Sequence, residues 1–268
     1  MCWFAIAAAG AQDADRSARG EFLKGEYSTA GAMSVVYGNY DPDTKMSEWE
    51  MKTAPELGLR WPQVIQVRVL ADESYMDGNV QRRMLTTWAK PDESGAREYS
   101  CQGCGVLLGV SVFRKESGGW RVERSELQLG TVGASARPPK TKVQRLGPHA
   151  WGLVATFEDM RGAQAEQAAW IYGPEQGGFR EWFKVQLVDD DKYGEFPQDD
   201  WCKVRAGELD VLCVWREIDY AMHPQEGKQV YDLVKTRRTP TGVEQESWRF
   251  DGQGFVKVGK HPGGGAKH

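Results

Sequence analysis

Histidine is scarce in this chain. There are four, His149, His223, His261 and His268, and the last two sit in a glycine-rich terminal stretch. Nucleophile-and-base catalysis needs a base within reach of a serine or cysteine. His149, in Gly147-Pro148-His149-Ala150, and His223, in Met222-His223-Pro224, both read as loop residues. A nucleophile elbow is missing as well, because Gly133-Ala134-Ser135-Ala136-Arg137 breaks the G-x-S-x-G pattern at its last position. Gly252-Gln253-Gly254 lacks the third glycine and the following helix of a phosphate loop. No carboxylate pair has an evident reason for the raised pKa that glycoside hydrolysis demands. The sequence predicts no catalytic residue and no cofactor.

Basic excess is also absent. The net charge is −4, from 34 Lys and Arg against 38 Asp and Glu, and the densest basic spots are the pairs Arg82-Arg83 and Arg237-Arg238. Nucleic-acid binding draws most of its affinity from a basic stripe, so that class is set aside. A membrane-surface role lacks its basic amphipathic helix. Nor does any apolar run approach the roughly 20 residues that span a bilayer, and a chain that does not span the membrane is expected.

What is present begins with a short apolar leader, Met1-Cys2-Trp3-Phe4-Ala5-Ile6-Ala7-Ala8-Ala9-Gly10-Ala11. Its end, Ala9-Gly10-Ala11, matches an A-x-A cleavage site, although no Lys or Arg precedes the run. Residues 1–11 are expected to be a signal peptide, which places the protein in the periplasm or outside the cell. A buried first strand or helix is the alternative.

Beyond the leader, four of the five cysteines remain: Cys101, Cys104, Cys202 and Cys213. An even count in an exported chain favours disulfides. A hairpin turning at Gly207-Glu208 sets Arg205 opposite Asp210, Val204 opposite Val211 and Cys202 opposite Cys213. Opposed residues have Cα atoms about 4.5–5.5 Å apart, within reach of a disulfide. Cys202–Cys213 is the expected bond, leaving Cys101–Cys104 as the second. Tetrahedral zinc is the competing reading of Cys101-Gln102-Gly103-Cys104, but Cys202 and Cys213 do not repeat the close spacing. A redox pair needs a helix after the motif, and Gly105-Val106-Leu107-Leu108-Gly109-Val110-Ser111-Val112-Phe113 reads as a strand.

Strand patterning dominates the rest. Val64 to Leu70 alternates with β-branched residues, and Arg83 to Ala89 looks like its partner across a polar loop from Ala71 to Gln81. Further strands read at Trp151–Phe157, Phe183–Val188 and Val230–Thr236. A short helix is expected around Thr44 to Lys52. Three hairpins share one plan: Val112–Val122, Trp170–Trp182 and Trp248–Val258. Each is a strand, a glycine-containing turn and an aromatic (Trp120, Phe179, Phe255) that opens the return strand and can pack back across the hairpin.

The stretch from Tyr231-Asp232-Leu233-Val234 to Trp248-Arg249-Phe250-Asp251-Gly252 resembles the closing hairpin of β-propeller blades in exported proteins. Cys101 to Trp120 similarly resembles bacterial envelope proteins in which a C-x-x-C precedes a hairpin ending in Gly-Trp. The resemblance implies compartment and architecture and brings no activity with it. The expected fold is all-β and mainly antiparallel, with tandem β-hairpins in a propeller-like or sandwich-like single domain and few short helices. Residues 12–258 would form that domain, with a point of subdivision near 95–100, and 259–268 a disordered tail.

Two features remain for function. Asp189-Asp190-Asp191-Lys192-Tyr193-Gly194 approaches a calcium loop, with Asp189 and Asp191 as ligands, but Tyr193 stands where a third ligand belongs. A charged surface turn is the plainer reading. Eleven tryptophans are many for 268 residues, and most are expected in core or cross-strand packing. The composite reading is an envelope protein that binds another protein, such as an inhibitor or immunity factor against a toxin or hydrolase. The alternatives are a carbohydrate- or peptidoglycan-associated module (or weak glycan hydrolase) using surface Trp, and a calcium-stabilised structural domain.

Overall fold

The three predicted hairpins organise the molecule. A computed structural model describes residues 20–51, 63–90, 105–133, 136–161, 164–188, 217–239 and 242–262. In chain order the elements are β1 (Phe22–Lys24), α1 (Thr29–Tyr37), β2 (Tyr40–Asp41), β3 (Met46–Met51), β4 (Gln63–Asp77), β5 (Val80–Ala89), β6 (Val106–Glu116) and β7 (Gly119–Val132). There follow β8 (Lys140–Arg145), β9 (Trp151–Arg161), β10 (Gln164–Glu175), β11 (Gly178–Val188), β12 (Glu217–His223), β13 (Asp232–Thr239), β14 (Gly242–Phe250) and β15 (Phe255–Pro262). The fold is all-β, and every strand pairing is antiparallel.

The hairpins fall at β6–β7, β10–β11 and β14–β15. The first two close through two-residue loops whose second residue is a glycine at positive φ, Gly118 at 81° and Gly177 at 83°, a conformation that costs a side-chain-bearing residue about 1 kcal/mol or more. The third is held by Asp251, whose Oδ1 accepts from the backbone N–H groups of Gln253 and Gly254.

β1 to β7 form one sheet, in the order β1-β7-β6-β5-β4-β3-β2, and β8 to β15 follow one another in a second. Among the described residues β11 and β12 are joined where Val188 pairs with Glu217. The halves of this second sheet fold over each other. The rings of Trp182 and Phe250 lie 4.3 Å apart and those of Phe183 and Trp248 4.8 Å. At the same end Tyr231 N donates to Leu146 O at 2.8 Å. Four layers result: α1, β1–β7, β8–β11 and β12–β15. Of the two arrangements expected, the stacked one is found.

Three cores fill the three gaps, and each turn aromatic sits in a different one. Trp120 lies with Met33, Tyr37, Met51 and Phe113 between helix and first sheet. Phe179 lies with Met84, Val110, Leu153 and Tyr172 between the first sheet and β8–β11. Phe255 joins Ile171, Trp182, Phe183 and Leu233 beneath the last layer. Each such side chain contributes roughly 1.5–3 kcal/mol on burial.

The structure departs from the expectations in three places. Thr44 to Lys52 is not helical. Residues 46–51 form β3, with Ser47 and Met51 buried and Glu48 and Glu50 outward. The helix is α1 instead. Its sequence, TAGAMSVVY, carries a glycine and two valines and has little intrinsic helical preference. It persists because Ser28 caps Gly31 N and because Ala32, Met33, Val36 and Tyr37 seat it on the sheet. The acidic stretch 71–77 is the second half of β4 rather than a loop. Its carboxylates serve both faces: Asp72 binds Arg83 and Thr29 on the helix side, and Glu73 accepts from Val143 N of β8 on the other. The tail also begins later than residue 259, since β15 pairs with β14 as far as Pro262.

Phe255→Ala is predicted to cost about 3–5 kcal/mol in urea denaturation. A loss below about 1 kcal/mol would show that this ring does not seat the outer layer.

Candidate interaction surface

Several of the residues singled out by sequence fall outside the described residues: Cys101, Cys104, Cys202 and Cys213 with their expected pairings, the calcium candidates Asp189 and Asp191, and the leader. His149 and His223 are placed, and both are exposed. His149 Nδ1 lies 3.7 Å from Asp77 Oδ1, and His223 ends β12 opposite Asp232. Among the described residues no three His, Cys, Asp or Glu gather to hold a metal, and no helix is long and apolar enough to cross a membrane.

Seven tryptophans are described, and none is in the exposed class. Trp120 and Trp182 are buried. Trp151 rests on Tyr75, Trp49 edges onto Tyr37 and Trp248 onto Phe183. Arg68 covers Trp88 and Lys184 covers Trp170. These rings are occupied by intramolecular partners, so no stacking platform for a sugar is formed from them.

The strongest electrostatic cluster lies where the first two sheets meet. Arg82 donates from Nη1 to Asp77 Oδ2 and from Nε to Glu123 Oε2, both at 2.7 Å, with the Tyr75–Trp151 stack beside it. Burial alone would raise the pKa of Glu123, but the hydrogen bonds and charge of Arg82 outweigh it and hold the carboxyl below its ordinary value. Burial would likewise lower Arg82, and its two acidic partners hold it above the usual value. The cluster welds the β4–β5 hairpin to β7. Asp77 Oδ1, the oxygen that Arg82 does not reach, is buried without a hydrogen-bond partner.

The sheet edges offer a different kind of surface, because an edge strand carries unpaired N–H and C=O groups. Three edges are defended. β1 has three residues and β2 two, and past β1 the turn of β10–β11 covers β7, Ser125 N donating to Gly177 O. β8 is six residues long and carries Lys140, Lys142 and Arg145. β15 runs for eight residues. Four large apolar side chains are exposed among the described residues, Val64, Met76, Val256 and Val258. The first two lie on β4, where Val64 pairs only with β3 and Met76 only with β5, whereas Val256 (44% exposed) and Val258 (49%) lie together on the β15 edge. Its lysines, the usual edge guards, are drawn back along β14: Lys257 Nζ donates to Glu246 Oε1, and Lys260 Nζ lies 3.1 Å from Glu244 Oε2.

The alternation Val256-Lys257-Val258 was legible in the sequence as a return strand. Its position at the end of a sheet was not, since that depends on the order of strands. No protein-family model, curated protein or solved structure matches the chain.

Replacing Arg82 by alanine would leave Glu123 and Asp77 without their shared cation. A loss of about 3 kcal/mol is predicted at pH 7, the low end for a broken buried pair because all three groups keep some solvent. A carboxyl with a lowered pKa stabilises the fold above its unfolded value, near about 4.3, and loses that contribution as pH falls through the lowered value. The gap between wild type and Arg82→Ala therefore narrows from pH 7 to pH 3 in urea titrations. A gap of constant size refutes this account of the cluster.

Proposed function

We propose that the chain is an exported binding protein of the cell envelope that acts by surface complementarity on another protein. An inhibitor or immunity factor directed at an envelope-acting toxin or hydrolase is the form this takes. The observation that carries the reading is the β15 edge: eight residues that no strand among the described residues covers on the outer side, with two exposed valines, where soluble proteins ordinarily place charge, proline or a covering element. Such an edge accepts a partner's extended segment as an added strand, with main-chain hydrogen bonds supplying affinity and alternate side chains supplying selectivity.

The compartment rests on the leader and the cysteines. Residues 1–11 carry the cleavage pattern and Cys101, Cys104, Cys202 and Cys213 are even in number, the combination expected of a chain that matures in an oxidising space. A binding role also accords with the scarcity of histidine, since a partner surface requires no group of perturbed reactivity.

Two measurements test the proposal. Protein isolated from the periplasm and denatured without reductant should show no reactive thiol at these four cysteines, and four free thiols would overturn the assignment of compartment. In affinity capture from the same extract, wild type should retain a stoichiometric protein that Val256→Asp/Val258→Asp releases. A partner bound equally by the double variant would place the contact elsewhere and remove the role given to β15.

A further inference from the structure

The chemistry of the strand that β15 accepts can be read from the charges on the last layer, given the docking role just proposed. On the face turned toward the third core, β13, β14 and β15 carry a cross-strand row. Lys235 stands opposite Glu246, and Glu246 opposite Lys260. The sign alternates from strand to strand, as favourable cross-strand pairing requires. Glu246 serves this row as a lowered carboxyl: its burial would raise it, but Lys257 and then Lys235 and Lys260 hold it down. The carboxylates of the row sit on β14, flanked by cations on both sides. β15 ends the sheet among the described residues, so the row stops on Lys260, whose ammonium group pairs with Glu244 on β14. Lys260 is 54% exposed at its side chain.

The opposite face of β15 is apolar. Val256 and Val258 are exposed, and among the described residues no strand pairs with the outer side of β15. A strand added there would meet branched aliphatic side chains on one face and, on the other, the part-exposed ammonium groups of Lys257 and Lys260, each able to bind a second carboxylate beside its β14 partner.

A second copy of the chain, paired antiparallel through β15 in the register that sets Val258 opposite Gly259, would bring Lys257 of one copy opposite Lys260 of the other, like charges in direct opposition.

We propose that the occupant is an extended segment of a partner protein in which carboxylates alternate with β-branched apolar residues. The carboxylates continue the Lys235–Glu246–Lys260 row, and the apolar residues lie beside Val256 and Val258.

The test uses the whole chain and three capped, fluorophore-labelled peptides matching the eight residues of β15 in length: alternating Val-Glu, Val-Ser and Val-Lys. At low ionic strength, anisotropy titration should rank them Val-Glu over Val-Ser over Val-Lys, with roughly tenfold between first and last from two or three cross-strand charge pairs. Binding of Val-Glu should slow amide exchange in β15. Lys260→Glu should reverse the order of the charged peptides, and Lys260→Gln, gentler on the fold, should erase their difference. Equal binding of all three peptides overturns the charge-selected partner and leaves β15 as a docking edge. No binding by any of them, with β15 amides unchanged, overturns the docking role as well.

Discussion

Burial of the β8–β11 half-sheet on both faces is the constraint on which the rest depends. Leu153 and Ala155 face the first sheet, Val154 faces the last layer, and all three are fully buried. Where the middle strands of this half-sheet are covered on both faces they carry apolar and small residues, among them Ala155, Ala168, Ala169 and Gly173, which let neighbouring layers approach. Gly173 shows the tolerance: a Cβ there would lie 2.0 Å from the ring of Trp182. The layers outside it can each keep one face in water, and that freedom produces the charged rows of β13–β15 and the helix of the opposite side.

The helix side answers the same requirement differently. Its core holds hydroxyls, and two of them are paired with each other. Tyr37 OH and Thr87 Oγ1 share a hydrogen bond of 2.6 Å, and the absence of a side chain at Gly109 makes room for both. Burial drives the Tyr37 phenol well above its ordinary pKa, so it remains neutral throughout the range in which the protein folds. A short helix with weak intrinsic preference is thereby fixed by tertiary contacts.

Local pattern carried much of this fold. The three hairpins could be read from glycine and aromatic placement, and β6 from its unbroken apolar run, because those signals are local. Residues 46–51 and 71–77 misled because their acids obscure a strand pattern, and pairing with distant residues, 63–68 for the first and β5 for the second, makes them strands. The interaction surface was legible in part. Val256 and Val258 announce a strand, but exposure on an edge follows from eight strands being laid down in order, and the Lys235–Glu246–Lys260 row from a register that no short window contains.

The ring cluster of Trp182, Phe183, Trp248, Phe250 and Phe255 has a mechanical meaning. It packs β14 and β15 against β11 through side chains, so that β12–β15 form a flap whose closure draws on these rings. Such a flap is a natural unit of sub-global opening, able to swing clear while the inner layers remain intact. A ligand strand zipped onto its rim would be felt by the whole flap, so that occupancy at the edge sets how often the molecule breathes.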